Sequence, residues 1–356
     1  MLIGVSGTLS SGKTEVTRYL TFQGFKLIEL DDNEEEFLNG SEITLSEEKE
    51  FEVEKNGNLS KTPVDEASKG SIQACSMDPF KRFVDLQEML EFVTSRWRED
   101  FVISHISDIQ MLHQLQKRPF FLHISIDAPI QLRYGRYLLR QGSNAGTNLE
   151  DFISKNDELL FASSNPLIEI NNQAQIKIIN TSSSIKNLYI KLSELKLRDQ
   201  SRLRPTWDSY FMRLADLAAL RSNCMKRRVG CVIARENRVI ATGYNGTPRH
   251  LTNCNEGGCE RCNKGQGSGA GLSTCLCLHA EENALLEAGR DRIRGDSVLY
   301  CNTCPCLTCS IKIVQSGIKE VVYAQSYSMD TLSHNVMSEA GIILRQFLPP
   351  TEGIFI

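Results

Sequence analysis

The chain has 356 residues, and at roughly 150 residues per domain this length predicts two domains or three. Hydrophobic residues make up 41% and charged residues 24%, which excludes a chain disordered throughout, a collagen-like fibre and a coiled-coil rod. The net charge of −4 argues against a general nucleic-acid binder, so we expect no stable nucleic-acid partner.

The sequence contains no apolar run of about 18 residues, the length that a membrane span needs. Its N-terminus, MLIGVSGTLSSGK, lacks the basic, apolar and cleavage segments of a secretory signal. We therefore expect a soluble protein without a membrane partner, located in the cytoplasm or in both cytoplasm and nucleus.

The first half of the chain alternates between strand and helix patterns. Predicted strands are 2–6, 25–30, 101–106, 120–126 and 176–179; predicted helices are 14–20, 84–98, one through Met111 and Leu115, 130–140 and 184–197. Such alternation predicts an α/β domain over 1–198 with a parallel sheet covered on both faces. Residues 31–54 hold eleven Asp or Glu and one Lys, so we expect 33–70 to be a mobile acidic insertion.

A polar stretch, 199–205, is the predicted linker to a second α/β domain over 206–356. Predicted strands are 229–234, 238–242, 297–301, 320–324 and 342–347; predicted helices are 207–223, 279–288, 305–315 and 331–340. The first two strands suggest a hairpin, and the helix between the last two implies a parallel pair, so the five-stranded sheet is mixed. A loop rich in Gly and Cys fills 244–278.

Residues 7–14, GTLSSGKT, match the P-loop pattern between a predicted strand and a predicted helix. Gly7 and Gly12 would let backbone N–H groups face a phosphate, Lys13 would reach the β- and γ-phosphates, and Thr14 would hold Mg²⁺. Domain 1–198 resembles P-loop nucleoside-monophosphate kinases, including dephospho-coenzyme A kinases, in residues 126–129 and the arginines that follow. Because only Asp31 or Asp32 offers a second Mg²⁺ carboxylate, we expect binding of ATP or another nucleotide rather than kinase turnover.

The second half contains His279-Ala280-Glu281 and, further on, Pro305-Cys306-Leu307-Thr308-Cys309. One imidazole and two thiolates leave the fourth position of a tetrahedral zinc ion for water, and helix starts favour the thiolate form of the cysteines. Glu281, two residues after the histidine, would act as general acid and base beside that water. This combination is the signature of zinc nucleobase deaminases.

Four segments resemble the deoxycytidylate (dCMP) deaminase family, and its fungal members especially: SNCMKRRVG at 222–230, GYNGTP at 243–248, HAEENA at 279–284 and CPCLTC at 304–309. The resemblance covers about 205–348 and implies a three-layer α/β/α domain that hydrolyses dCMP to dUMP and ammonia, which feeds dTMP synthesis. It also implies activation by dCTP, inhibition by dTTP and a homohexamer. By the same resemblance Asn245, Asn283, Arg290 and Tyr327 would contact the substrate.

Eleven of the twelve cysteines fall between Cys224 and Cys309, which favours metal binding over disulfides. The resemblance to bacterial and phage dCMP deaminases implies a second, structural zinc. We predict its ligands as Cys224, Cys254, Cys259 and Cys275, with Cys262 as an alternate; free thiols remain the other interpretation.

Two other functions stay open. A zinc deaminase that acts on tRNA or single-stranded nucleic acid is disfavoured by the acidic charge balance. A nucleotide kinase with a non-catalytic zinc module would transfer phosphate and leave dCMP intact.

Overall fold

The computed structural model describes residues 1–31, 77–141, 148–265, 274–326, 330–348 and 353–355. The chain divides into two compact units, Met1–Leu203 with Glu352–Ile356, and Arg204–Thr351. The expected acidic insertion, 33–70, lies outside the described residues. Within the described part, no helix is both long and apolar enough to cross a membrane.

The first unit is built on a seven-stranded sheet in which all paired strands are parallel. Its strands are β1 (Leu2–Gly7), β2 (Lys26–Leu30), β3 (Lys81–Phe83), β4 (Phe101–Ile103), β5 (Phe121–Asp127), β6 (Ile176–Ile179) and β12 (Gly353–Phe355), in the order β12-β6-β5-β1-β4-β2-β3. Every residue of β1 is buried, as expected for a central strand covered on both faces.

Helices cover both faces of this sheet: α1 (Lys13–Phe22), α2 (Leu86–Ser95), α3 (Ile109–Gln116), α4 (Ile130–Gln141), α5 (Leu149–Leu160), α6 (Leu167–Asn172) and α7 (Ile185–Glu194). Val16 of α1 and Leu188 of α7 belong to one core cluster, whereas Met89 of α2 and Leu112 of α3 belong to another. The predicted parallel α/β architecture is therefore confirmed.

Several elements of this unit were not predicted. The short strands β3 and β12 and the helices α5 and α6 have no counterpart in the sequence analysis. Strand β12 pairs with β6, so residues 353–355 lie in the first unit and not in the second domain, where we expected them. The expected linker contains a short 3₁₀ helix, Gln200–Arg202.

The second unit contains the predicted mixed five-stranded sheet, in the order β11-β10-β9-β7-β8. Its strands are β7 (Gly230–Arg235), β8 (Arg238–Tyr244), β9 (Val298–Thr303), β10 (Glu320–Gln325) and β11 (Ile343–Gln346). Strand β7 is antiparallel to β8 and β9, while β10 is parallel to β9 and β11.

Helices form a layer on each side of this second sheet. They are α8 (Trp207–Ala219), α10 (Ala280–Ala288), α11 (Leu307–Ser316) and α12 (Asp330–Glu339), while the single turn α9 (Glu260–Asn263) lies in the loop between β8 and α10. Phe211 of α8 packs in one core cluster, and Ala284 of α10 packs with Ile313 of α11 in another. This three-layer arrangement holds the first turns of α10 and α11 near each other.

Strand β8 and helix α10 approach closely at Gly243. A Cβ atom added there would lie 2.1 Å from the Ala280 carbonyl oxygen and 2.5 Å from the Ala284 backbone nitrogen. Only a residue without a side chain permits this approach. Gly243 therefore sets the position of the first turn of α10.

Candidate metal centre and active site

His279, Cys306 and Cys309 come together where two helices begin. His279 is the N-cap residue of α10, Cys306 is the N-cap residue of α11, and Cys309 lies in the first turn of α11. The Nδ1 atom of His279 is 3.4 Å from the Sγ atom of Cys306 and 3.3 Å from that of Cys309. The three atoms form a group that could hold a metal ion.

The donor set and its spacing fit zinc. Tetrahedral zinc with Zn–N near 2.0 Å and Zn–S near 2.3 Å separates nitrogen and sulfur by about 3.5 Å, close to the two distances observed. Hydrogen bonding with Cys309 and His279 holds the pKa of the Cys306 thiol at about 3, while Cys306 and burial raise the pKa of Cys309. Cys306 and Cys309 therefore carry negative charge beside the imidazole of His279. The pKa of that imidazole is raised chiefly by its hydrogen bond with Cys306.

Glu281 lies in the first turn of α10 and is only 4% exposed. Burial raises the pKa of its carboxyl, although His279 acts in the opposite direction, and the carboxyl forms a hydrogen bond with Cys309. The carboxyl of Glu281 is buried beside the three donor atoms but does not belong to their group. It can therefore exchange protons with a molecule bound there.

Two residues that the sequence analysis did not single out hold His279 in place. The Oε2 atom of Glu282 accepts a hydrogen bond from the backbone nitrogen of His279 at 2.9 Å, and the Nζ atom of Lys312 on α11 forms an ion pair with Oε1 of Glu282. Together they connect the first turn of α10 to the middle of α11. The sequence contained a signal for Glu282, because a carboxylate three residues after a helix N-cap is half of a capping box.

Asn245 and Asn283 make contacts within the protein near the end of β8. The Asn245 side chain accepts hydrogen bonds from Val229 at 2.8 Å and Ser222 at 2.7 Å, and donates to the Arg227 carbonyl at 2.7 Å. Asn283 donates to the Tyr244 carbonyl at 3.0 Å.

Of the other two predicted substrate residues, only Arg290 lies among the residues that the structure describes. Arg290 is exposed beyond the C-terminal end of α10, whereas His279 and Glu281 lie at its N-terminal end. An α-helix of nine residues is about 13 Å long, so Arg290 is distant from the group of His279, Cys306 and Cys309 in its own chain. Its predicted contact with the substrate stays a prediction. Tyr327 lies outside the described residues.

The predicted structural-zinc ligands do not form one group of four. Six cysteines instead make two overlapping groups, the first Cys224, Cys254, Cys262 and Cys277, the second Cys259, Cys262, Cys275 and Cys277. Cys277, which the prediction left out, belongs to both. Its sequence signal was the spacing Cys275-Leu276-Cys277 directly before His279.

The P-loop pattern lies between β1 and α1, with Lys13 as the first residue of the helix. Gly12 has φ 110°, and the Nζ atom of Lys13 donates to the carbonyl oxygens of Gly7 at 2.9 Å and Thr8 at 3.1 Å. Burial, and then the charges of Arg140 and Arg133, lower the pKa of Lys13 to about 8. Several cations therefore surround this loop.

A carboxylate that was not predicted as a Mg²⁺ ligand lies against this loop. Asp127 ends β5, the strand beside β1, and its Oδ1 atom accepts a hydrogen bond from the Thr8 hydroxyl at 2.5 Å. Asp31 follows β2, which is two strands from β1 and hence about 10 Å away. Asp32 lies outside the described residues.

Comparison with known proteins shows which class of protein has such a site. Residues 205–325 match the family model described as the cytidine and deoxycytidylate deaminase zinc-binding region. The class is thus that of zinc-binding deaminases of the cytidine and deoxycytidylate type.

Relatives then identify the family. The chain is 48% identical to deoxycytidylate deaminase of Schizosaccharomyces pombe over 355 residues, which cover 99% of each protein. Deoxycytidylate deaminase of Saccharomyces cerevisiae is 52% identical over 271 residues, or 73% of this chain and 85% of that protein. A crystal structure of dCMP deaminase from the cyanophage S-TIM5 in complex with dCMP and dUMP is 30% identical, covers 40% of this chain and 98% of that chain, and has a TM-score of 0.34.

The chain belongs to the deoxycytidylate deaminase family, because its identity to the Schizosaccharomyces pombe protein extends over both units. The resemblance seen in the four motifs is confirmed. The resemblance of the first unit to P-loop kinases remains a prediction.

Proposed function

We propose that this protein is a dCMP deaminase, which hydrolyses dCMP to dUMP and ammonia. The observation that carries the proposal is the group of His279, Cys306 and Cys309 with the buried Glu281 beside it. The whole-length identity to a deoxycytidylate deaminase supports the choice of substrate.

His279, Cys306 and Cys309 would hold zinc, which when bound supplies the Lewis acidity that activates water near neutral pH. Glu281 would take one proton from the attacking water and deliver it to N3 of cytosine, where it stays. It would then carry the second proton, from the hydroxyl formed at C4, to the amine, so that ammonia leaves as the C4 carbonyl forms. Burial suits this role because it raises the pKa of the carboxyl towards the working pH. Glu282 and Lys312 would hold the imidazole in position throughout.

Asn245 and Asn283 would shape the substrate pocket by fixing the chain around Tyr244, where β8 ends. We keep Asn245, Asn283, Arg290 and Tyr327 as proposed substrate residues. Arg290, which lies beyond the C-terminal end of α10, would contact the phosphate of the substrate.

The test is steady-state kinetics of the purified full chain on dCMP, CMP, deoxycytidine and an adenosine-containing oligonucleotide. We expect kcat/KM for dCMP to exceed the others by at least about tenfold, since losing a hydrogen-bonded or charged substrate group costs about 1.4 kcal/mol or more. Comparable rates on the oligonucleotide would favour the nucleic-acid deaminase instead. Phosphate transfer with intact dCMP would favour the nucleotide kinase.

Regulation by dCTP and dTTP and a homohexameric assembly follow from the family, and we propose both. A sigmoidal dCMP rate curve that dCTP makes hyperbolic is expected, together with a mass in solution of six chains. A hyperbolic curve indifferent to dTTP would reject the regulation.

We also propose that the first unit binds a nucleotide phosphate at residues 7–14, with Mg²⁺ when a triphosphate is bound. Support comes from Lys13 at the helix start, the arginines near it and Asp127 at the end of the adjacent strand. Calorimetric titration with ATP and with dCTP, each with and without Mg²⁺, tests this. We expect binding by the native chain and at least about tenfold weaker binding by Lys13→Met, which loses the charge.

A further inference from the structure

Six cysteines of the second unit share one small region of the structure. Four of them, Cys254, Cys259, Cys262 and Cys277, are buried and form a cluster of their own, with Cys224 and Cys275 packed against it. All six are free thiols. The hydrophobic cluster of this region therefore consists of sulfur side chains alone, with no bulky apolar residue among its members.

The spacing of the sulfur atoms is that of zinc tetrathiolates. The Sγ atom of Cys262 lies 3.8 Å from that of Cys224, 3.8 Å from that of Cys275 and 3.9 Å from that of Cys277. Four sulfurs at about 2.3 Å from one tetrahedral zinc ion are separated by about 3.8 Å. A disulfide needs a single partner near 2.05 Å, and Cys262 has three equivalent neighbours instead.

The two groups of four share two members, Cys262 and Cys277. One tetrahedral ion uses four sulfurs, so a single ion in either group would leave two cysteines of the other group without a metal. Two tetrahedra that share an edge use all six. The shared edge would be the pair Cys262 and Cys277, whose sulfurs are 3.9 Å apart.

We propose that these six cysteines bind two zinc ions as one binuclear cluster, with Cys262 and Cys277 as bridging thiolates. Cys224 and Cys254 are the terminal ligands of one ion, and Cys259 and Cys275 are those of the other. The proposal is independent of the deaminase activity.

The surroundings of the cluster suit its charge. Six thiolates and two divalent ions leave two negative charges, which need hydrogen-bond donors when they are buried. The buried guanidinium of Arg261 forms hydrogen bonds with Cys275 and Cys262. The backbone nitrogen of Met225 lies 3.4 Å from the Sγ atom of Cys254, and the Asn263 side chain donates to the same sulfur at 3.8 Å.

The position of the cluster gives it a structural task. It joins Cys224, just beyond α8, to the loop that contains α9 and to Cys277, two residues before His279. Described regular structure in this loop is limited to a 3₁₀ helix, Cys254–Glu256, and the single turn of α9. Metal ligation would therefore supply the stability that a hydrophobic core supplies elsewhere.

The test is the metal content and X-ray absorption spectrum of the native full chain, purified without added chelator. Elemental analysis should give three zinc ions per chain, one at His279 and two in the cluster, without stoichiometric iron. The zinc absorption fine structure should contain a metal–metal distance on the order of 3 Å, as two edge-sharing tetrahedra require. A content of two zinc ions per chain, or bound iron, would overturn the proposal. So would three zinc ions per chain whose absorption spectrum lacks that metal–metal distance.

Variants assign the ions to their ligands. Cys277→Ser removes a bridge and should lower the content from three zinc ions to one, whereas Cys309→Ala should remove only the ion at His279. Cys231→Ala is the matched control, because Cys231 is a buried cysteine of another cluster and its loss should leave three. Retention of two or more zinc ions by Cys277→Ser would overturn the bridging role, and the native measurements decide the question if that variant does not fold.

Discussion

Replacing Gly243 by alanine should reduce deaminase activity through the helix that carries His279 and Glu281. The new Cβ atom would lie 2.1 Å from the Ala280 carbonyl oxygen and 2.9 Å from the Ala284 side chain. Ordinary carbon contacts begin near 3.4 Å, so α10 must move away from β8 by about 1 Å. Ala280 lies between His279 and Glu281, and both would move with it.

The size of the effect follows from that displacement. A misplacement of about 1 Å at a reacting group costs on the order of 100-fold in rate. Overpacking of this kind also lowers the free energy of unfolding by about 1–3 kcal/mol. We therefore expect kcat/KM of Gly243→Ala on dCMP to fall by about 100-fold while the chain still folds.

The assay compares dCMP kinetics, zinc content and thermal unfolding of Gly243→Ala with those of Gly295→Ala. Gly295 belongs to the same unit and has nothing within 4 Å of an added Cβ, so its variant controls for the effect of one extra methyl group on the unfolded chain. Gly295→Ala should keep native kinetics. Native kcat/KM in Gly243→Ala would show that the closeness of α10 to β8 does not position the active site.

Three further outcomes are expected. Glu282→Gln should lower kcat/KM by about tenfold with zinc still bound, because its neutral amide weakens the contacts with the His279 backbone and Lys312, and an unchanged rate would reject the positioning role. Burial alone would raise the pKa of Asp208, but hydrogen bonds from Arg345 and Tyr300 lower it, so Asp208→Asn should reduce the free energy of unfolding at pH 7 by about 1–2 kcal/mol. That difference in the free energy of unfolding should vanish as the pH falls below about 4, because the native carboxyl is then protonated. A difference that stays the same at every pH would contradict this expectation. Nucleotide binding at residues 7–14 should weaken as the pH rises above about 8, where Lys13 loses its charge, and calorimetric affinities that stay constant up to pH 9 would exclude that dependence.

Local sequence patterns were sufficient to predict the group of His279, Cys306 and Cys309, which could hold a metal ion, and most of the strands. His279, Cys306 and Cys309 each lie at a helix start, where a short motif fixes the residue type, the spacing and the backbone conformation together. The buried strands β1 and β5 are short segments rich in Ile, Leu, Val and Phe, which a sequence displays directly.

Features that depend on the path of the chain through space were missed. The cysteine groups mix residues from beyond α8, from the loop around α9 and from the segment before α10, and no spacing rule shows which four sulfurs meet. Strand β12 pairs with β6 across more than 170 residues, and its three residues are too few for a periodic pattern.

The distance of Arg290 from His279 along α10 was also not visible in the motifs, and its predicted contact with the substrate stays a prediction. Asp127 was visible at the end of a strong strand pattern, and only the strand order, with β5 beside β1, brings it to Thr8 of the loop.

The most direct measurement compares ammonia release from dCMP and zinc content in the native chain and in Glu281→Gln. We expect the variant to retain the zinc held by His279, Cys306 and Cys309 and to lose at least about 1,000-fold in kcat, because the glutamine amide cannot relay protons. A Glu281→Gln variant that binds zinc and deaminates dCMP at a rate near the native one would contradict it.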